Sequence, residues 1–258
     1  MDKKMLDIYS DYLISQNYHA TATGLSLLLD GEISHDKITR FLNKDELTSK
    51  HLWKYVKNEV RNNEEENGGI LIFDDTIEEK PYTDENDTVC WHYSHAKGRC
   101  VKGINILSSL IRYNDFALPI AFEAIRKDQY FCDIETKKEK RKSFVTKNEL
   151  FKSIANQAVL NNVKFEYVLA DNWFGAKKNM EYIHENLKKK FIFGIKSNRL
   201  VALEKKGQHH SLRSLNLENN ETRTVWLKGI SFPVKLLKRV FKNEKRNNWY
   251  IISRYKRS

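Results

Sequence analysis

The sequence predicts an α/β protein, with a helix-turn-helix-like N-terminal domain, a mixed sheet covered by helices, and a β-rich C-terminal segment. Residues 69–195 run strand, hairpin, helix, strand, helix, strand, an order that builds layered α/β structure. Two apolar, β-prone runs, Ile70-Leu71-Ile72-Phe73 and Phe165-Glu166-Tyr167-Val168-Leu169-Ala170, each end on acidic residues. Apolar residues make up 40% and aromatics 12%, enough to form a core and to exclude a disordered chain.

The elements follow in order. Residues 5–18 form a first helix, with Leu6, Tyr9, Leu13 and Ile14 or Tyr18 near helical spacing. Residues 21–29 and 35–42 are two short helices joined by the turn Asp30-Gly31-Glu32-Ile33, with Ser34 as a cap. In this hairpin Ala22, Leu25, Leu29, Ile33, Ile38 and Leu42 pack inward, and Ser34, His35, Lys37, Thr39 and Arg40 face DNA. Residues 44–62 continue as helix into a polar linker ending at Asn67. This gives three segments: a helical DNA-binding domain (1–63), a catalytic core (64–199) and a β-rich part (200–258).

In the core, Gly68-Gly69 opens a buried strand that delivers Asp74 and Asp75. After a polar loop, residues 101–112 and 116–124 form a hairpin turned at Tyr113-Asn114-Asp115, and residues 137–142 a charged loop. Helix 147–161, the strand ending at Asp171, helix 176–189 and strand 191–195 complete it. Short strands follow at 200–203, 222–227, 234–241 and 249–252.

Charge bounds the partners. Lys and Arg number 45 against 34 Asp and Glu, an excess of 11 that favours a polyanion, most often nucleic acid. Residues 64–87 hold ten acids and one base; residues 223–258 hold eleven bases and one acid. Lys235, Lys238, Arg239 and Lys242, interleaved with Val234, Leu236, Leu237, Val240 and Phe241, suit a phosphate-contacting surface. The odd cysteine count, 3, makes no disulfide framework and fits a reduced cytoplasmic, nucleoid-associated protein. No run approaches the roughly 18 apolar residues of a membrane helix.

Carboxylates at buried strand ends are disfavoured as anions unless a cation compensates them. Two neighbouring strands ending at Asp75 (or Asp74) and Asp171 suit one or two Mg²⁺ ions, with Mn²⁺ as an alternative, for phosphodiester displacement. Cys90, His92, His95 and Cys100 raise a zinc reading, but C-x-H-x₂-H-x₄-C is not a common zinc spacing. Trp173 and Trp226 read as core, and His209-His210 as solvated.

These residues resemble the DDE transposases of bacterial insertion sequences, in the group that includes the insertion-sequence-4 and 701 types. The resemblance rests on Ala22-Thr23-Gly24-Leu25 through Gly31-Glu32-Ile33-Ser34-His35-Asp36-Lys37-Ile38-Thr39-Arg40-Phe41-Leu42, and on Ile72-Phe73-Asp74-Asp75-Thr76. It rests also on His92-Tyr93-Ser94-His95-Ala96-Lys97-Gly98, on Gly103-Ile104-Asn105 and on Leu169-Ala170-Asp171-Asn172-Trp173-Phe174. It implies a ribonuclease-H-like core with a β-rich insertion, a homodimer on double-stranded DNA, and metal-dependent cleavage and strand transfer. Asp75 matches the first carboxylate because Thr follows it, Asp74 is the fallback, and Asp171 matches the second. His92, His95 and Lys97 would lie near the site or on phosphate. The family's Glu, in a Tyr-x-x-Arg-x-x-x-Glu pattern, has no match: Glu204, Glu218, Glu221 and Glu244 fall in the insertion, and the chain ends just after Tyr255. The expectation is a C-terminally truncated, inactive transposase or a DNA-binding remnant that inhibits transposition.

Overall fold

The N-terminal helices begin where the sequence offers caps. Helices α1 (Lys3–Ser15), α2 (Ala22–Leu28) and α3 (His35–Asn43) start after Asp2, Thr21 and Ser34, whose side chains accept N–H groups of Met5, Gly24 and Lys37. The α2–α3 turn needs left-handed backbone, which Asp30 (φ 49°) and Gly31 (φ 80°) supply. Met5, Tyr12, Leu25 and Ile38 form the small core, with Ile8, Tyr9, Ile33 and Phe41 against it.

Two expectations change here. The inward face of α1 runs through Met5, Ile8, Tyr9 and Tyr12, leaving Leu13 and Ile14 exposed, and Tyr18 lies outside the described residues. In α3 it is Phe41, not Leu42, that turns inward.

This computed structural model describes residues 2–17, 19–44, 46–242 and 246–253, and it divides into two compact units, Met1–Thr48 and Ser49–Ser258. Helix α4 (Ser49–Asn62) therefore belongs to the second unit, not to the N-terminal domain: Val60 is in the large core, and Ser49 Oγ accepts the Phe122 N–H at 2.8 Å.

The second unit is built on one mixed sheet. Its strands are β1 (Gly69–Glu79), β2 (Cys90–Ser94), β3 (Arg99–Tyr113), β4 (Phe116–Ala124), β7 (Phe165–Ala170), β8 (Lys190–Ile195), β9 (Leu200–Ala202), β10 (His210–Ser211), β11 (Thr222–Leu227), β12 (Val234–Lys242) and β13 (Arg246–Ser253). The order is β10-β9-β11-β12-β13-β8-β7-β1-β3-β2, with β4 also on β3. β1 is antiparallel to β3 but parallel to β7, and β7 is parallel to β8. An antiparallel three-strand meander joined to parallel crossover strands is consistent with a ribonuclease-H-like core. The remaining strands, β5 (Gln129–Cys132) and β6 (Glu139–Lys142), form a separate ribbon where a charged loop was expected, and β2 was not anticipated. The C-terminal strands do not stand apart as a separate sheet; β13 pairs with β8 and extends the central one.

Helix α5 (Lys147–Leu160) covers the sheet. It is launched by a capping box, Thr146 with Glu149, and buries Phe151, Ile154, Ala155 and Ala158. The Phe151 ring lies 4.4 Å from Phe73 of β1, 5.1 Å from Phe174 and 6.1 Å from Phe193 of β8. One aromatic side chain thus ties the helix to the strands that carry the acids. The second crossover is the short helix α6 (Lys177–Glu181), which widens into a π turn over Tyr182–Asn186.

Candidate active site

Alternation along β1 decides which aspartate faces the helix. Leu71 and Phe73 are buried, and Asp75 follows on their side, half-buried, while Asp74 lies on the opposite side and is exposed. Parallel pairing sets Ile72 opposite Leu169, so β1 and β7 run side by side, about 4.8 Å apart; β7 ends at Ala170, whereas β1 continues past Asp75 to Glu79 on its pairing with β3. Asp75 lies three residues past that pair, within β1, and Asp171 two, just beyond the end of β7, so the adjacent strands bring the two acids near each other.

Asp171 is fixed by its own loop. Its Oδ1 accepts the Trp173 N–H at 2.9 Å, and the Phe174 N–H adds a second bond. The residue is open to solvent, but its carboxyl is crowded by the strand ends. That desolvation raises its pKa, the charges of Asp75 and Asp74 raise it further, and the two N–H donors oppose both. The loop lies directly on β8: a Cβ at Gly194 would sit 2.8 Å from the Asn172 nitrogen, and one at Gly175 2.5 Å from the Gly194 carbonyl oxygen. Buried Asn179 clamps the loop to α5, donating to the Phe174 carbonyl at 3.0 Å and to Asn148 Oδ1 at 2.7 Å.

A lysine completes the arrangement. Lys147 Nζ lies 2.6 Å from Asp75 Oδ2 and 4.5 Å from the centroid of the Trp173 ring. Trp173, expected in the core, is 37% exposed and forms one wall of the site. Lys147 and Asn179 escaped sequence reasoning. The Thr146–Glu149 capping signal fixes where α5 starts, but not what its first residue meets.

The other expected residues scatter. His92, on β2, is buried, and its Nε2 lies 3.3 Å from Cys90 Sγ. Burial lowers its pKa to about 4, helped by Lys127 and Lys147 and opposed by Asp75. A neutral, buried ring of this kind presents no phosphate-facing surface, though its coupling to Asp75 places it near the site. His95 is exposed and stands edge-on to Tyr93 at 5.0 Å, and Lys97 pairs with Glu79 at 2.5 Å. In the N-terminal unit His35 sits 3.3 Å from Asp36, Arg40 donates to the Asp36 carbonyl, and Lys37 is exposed. Lys235 and Arg239 are exposed on β12, whereas Lys238 is turned to the Leu217 carbonyl at 2.7 Å; the Lys242 side chain lies outside the described residues.

The donor set suits a hard divalent cation: two carboxylates brought near each other by adjacent strands, already sharing their neighbourhood with an ammonium group. Among the described residues no three His, Cys, Asp or Glu side chains are grouped to hold a metal. The zinc reading fails on register. Cys100 pairs with Tyr93, so it lies on the opposite sheet face from Cys90 and His92. Glu218 and Glu221 precede β11, which is five strands from β1, about 24 Å across the sheet; Glu204 follows β9, a strand further. Glu221 is in addition bound to Arg223. Glu244 and Tyr255 lie outside the described residues.

Comparison with known proteins now bears on this geometry. The family profile described as DDE superfamily endonuclease matches residues 2–214, a span that includes Asp75, Asp171 and the strands that carry them. No curated protein matches. Among solved structures the chain is similar to the Drosophila P element transposase strand transfer complex, at 9% identity and a TM-score of 0.22. That alignment covers 70% of this chain and 41% of the other, and at such a score it carries no argument. On the profile match, the chain belongs to the DDE superfamily endonucleases.

Proposed function

We propose that this chain is a transposase of the insertion-sequence type, cutting double-stranded DNA at the ends of its element and joining the freed 3′-hydroxyl to a target. The observation that carries the reading is the parallel pairing of β1 with β7, which supports Asp75 of β1 and Asp171, just past β7, acting together. These two residues are the proposed metal ligands, Mg²⁺ or Mn²⁺, with Asp74 on the outer face as a weaker contributor. When bound, the cation polarises the phosphodiester and lowers the pKa of the attacking water or hydroxyl. The protein's own part is positioning: Trp173 and Phe174 N–H groups orient Asp171, Asn179 locks that loop to α5, and Phe151 holds the strands beneath.

The helical unit, with its capped α2–α3 hairpin and exposed His35, Lys37 and Arg40, is the proposed reader of the element's ends. Lys235 and Arg239 on β12 are proposed phosphate contacts. Two copies acting as a homodimer, one at each end, fit that chemistry, and a bacterial element of the insertion-sequence-4 or 701 type is the source that the sequence motifs favour.

A second reading has its own support. Among the described residues no carboxylate from a third element joins Asp75 and Asp171, which favours a DNA-binding protein that occupies ends without cutting. One assay separates the two. The chain is incubated with a plasmid carrying the DNA that flanks its own gene, in Mg²⁺ and then in Mn²⁺. Cutting that disappears in Asp75→Asn establishes the transposase reading. Binding to the flanking DNA without cutting in either metal establishes the second, and cutting that survives Asp75→Asn sinks the site assignment.

A further inference from the structure

Lys147 occupies an unusual position for a cation. It is the first residue of α5, where the helix dipole and free N–H groups disfavour positive charge. The capping box nevertheless fixes it there, and its side chain is only 14% exposed. Its ammonium makes two contacts that span the site: Asp75 Oδ2 at 2.6 Å, and the face of Trp173 at 4.5 Å, whose own N–H binds Asp171. Local electrostatics oppose this placement, and the two contacts at the acids supply what offsets it.

We infer that Lys147 is a resident counter-cation, which neutralises Asp75 while no divalent ion is present and is displaced from both Asp75 and Trp173 when one binds. The inference rests on the metal reading of Asp75 and Asp171. An ammonium and a divalent ion sharing one carboxylate lie within a few ångströms of each other, and their repulsion there is large against thermal energy even when screened. The two cations therefore compete for Asp75, and the loss of one is the gain of the other. The consequence is a site that keeps its two carboxylates from repelling each other before metal loading. The lysine lowers metal affinity in return. Trp173 reports the exchange, because it loses a cation from its face when the lysine leaves.

The test uses the full chain and Mg²⁺, which does not quench fluorescence. Calorimetry should show Lys147→Met binding Mg²⁺ about tenfold more tightly than the parent, the size expected for removing one partly screened competitor. Lys178→Gln, which removes a charge felt by Glu149 at the start of α5, should stay within about twofold of the parent. Lys147→Arg keeps the charge with a fork that grips a carboxylate in two places, and should bind Mg²⁺ more weakly. In the parent, Mg²⁺ should change tryptophan emission, and Trp173→Phe and Lys147→Met should each abolish that change. Unchanged or weaker binding by Lys147→Met, while the parent binds, overturns the inference and makes the lysine a holder of Asp75 for the metal. An equal gain in Lys178→Gln overturns it as a general charge effect. No Mg²⁺ binding by the parent is a different failure, since it removes the two-carboxylate metal reading itself. Because the parent's emission change and the Lys147→Arg response need no Met variant, a misfolded Lys147→Met leaves the inference open to refutation.

Discussion

Two places in the second unit gather side chains that ligate metals, and they behave in opposite ways. Asp75 and Asp171 are about a hundred residues apart in sequence, yet parallel pairing of β1 with β7 brings them near each other, Asp75 within β1 and Asp171 just past β7. Cys90, His92, His95 and Cys100 lie within eleven consecutive residues, yet the β2–β3 hairpin divides them. Cys90 and His92 point into the core and satisfy each other; Cys100 takes the other face; His95 is exposed past the end of β2. Closeness in sequence places side chains on alternating faces of a strand, while pairing of neighbouring strands brings distant residues to one spot. Convergence follows topology rather than spacing.

The sharpest way to break that comparison is to remove one member of each set. Asp75→Asn or Asp171→Asn should reduce metal-dependent cutting by at least about a hundredfold, because a misplaced ion forfeits alignment of the reacting groups. His95→Ala and Cys100→Ser should leave it unchanged. Asp74→Asn, on the outer face of β1, should fall well short of the Asp75 effect. Equal losses at Asp74 and Asp75 would mean that the strand alternation has been misassigned.

How much of this was legible beforehand follows the same division. The two apolar strands, the hairpin and α5 were readable because each has a local signal: an apolar run followed by acids, a turn around Asn114-Asp115, a cap followed by a helical pattern. That β1 runs on past the acids to Glu79 was not readable, because only its pairing with β3 extends it. β2 was not, because Cys-Trp-His-Tyr-Ser reads first as a ligand motif and only the pairing with β3 makes it a strand. The ribbon of β5 and β6 was missed for a related reason, since Glu-Lys-Arg-Lys has no apolar alternation and is held by cross-strand contacts such as Arg141 over Tyr130 at 4.3 Å. Within the candidate site, both aspartates were expected from sequence as candidate ligands, but Lys147 was not. Its contact with Asp75 spans 72 residues and depends on how α5 docks on the sheet.

His92 gives a second way to sharpen the contrast, through pH. Its pKa in the folded protein is about 4, below the unfolded value near 6.5, so the folded state binds the proton less readily. Stability from this group is therefore full above about pH 6.5 and is lost as pH falls toward 4, by up to roughly 3 kcal/mol. Denaturant titrations between pH 7 and 4 should show that slope in the parent and a flatter one in His92→Gln. Asp171 works in the opposite direction for ligand binding: its carboxyl is raised, so it holds a proton to higher pH than an ordinary aspartate. Metal affinity should fall as the solution is acidified through that raised value, with proton release on binding visible as buffer-dependent heat.

Gly194 tests whether the rim itself is held by backbone contact. A methyl there meets the Asn172 nitrogen at 2.8 Å, inside the loop that carries Asp171. Gly194→Ala should cost about 1–3 kcal/mol, the usual range for overpacking, and should weaken Mg²⁺ binding at the same time. A loss of stability with metal affinity intact would separate the loop's packing from its role in positioning Asp171.

The smallest expected effect concerns zinc at the hairpin. A structural zinc site needs ligands that converge on one point, and bound zinc then stabilises the fold by its full binding energy. Here Cys90 is buried against His92, and burial pushes its thiol up, away from the thiolate that would coordinate a metal. Cys100 is on the other face of the sheet. Zinc can still bind Asp75 and Asp171, so the informative quantity is the difference between parent and a Cys100→Ser, His95→Ala double variant. Thermal melts with one equivalent of Zn²⁺ should shift both proteins alike, to within about 1–2 °C, which for a unit of this size corresponds to less than about 1 kcal/mol. A zinc-dependent rise confined to the parent would mean that the hairpin closes around the ion, and that the difference between the two clusters is not fixed by strand register.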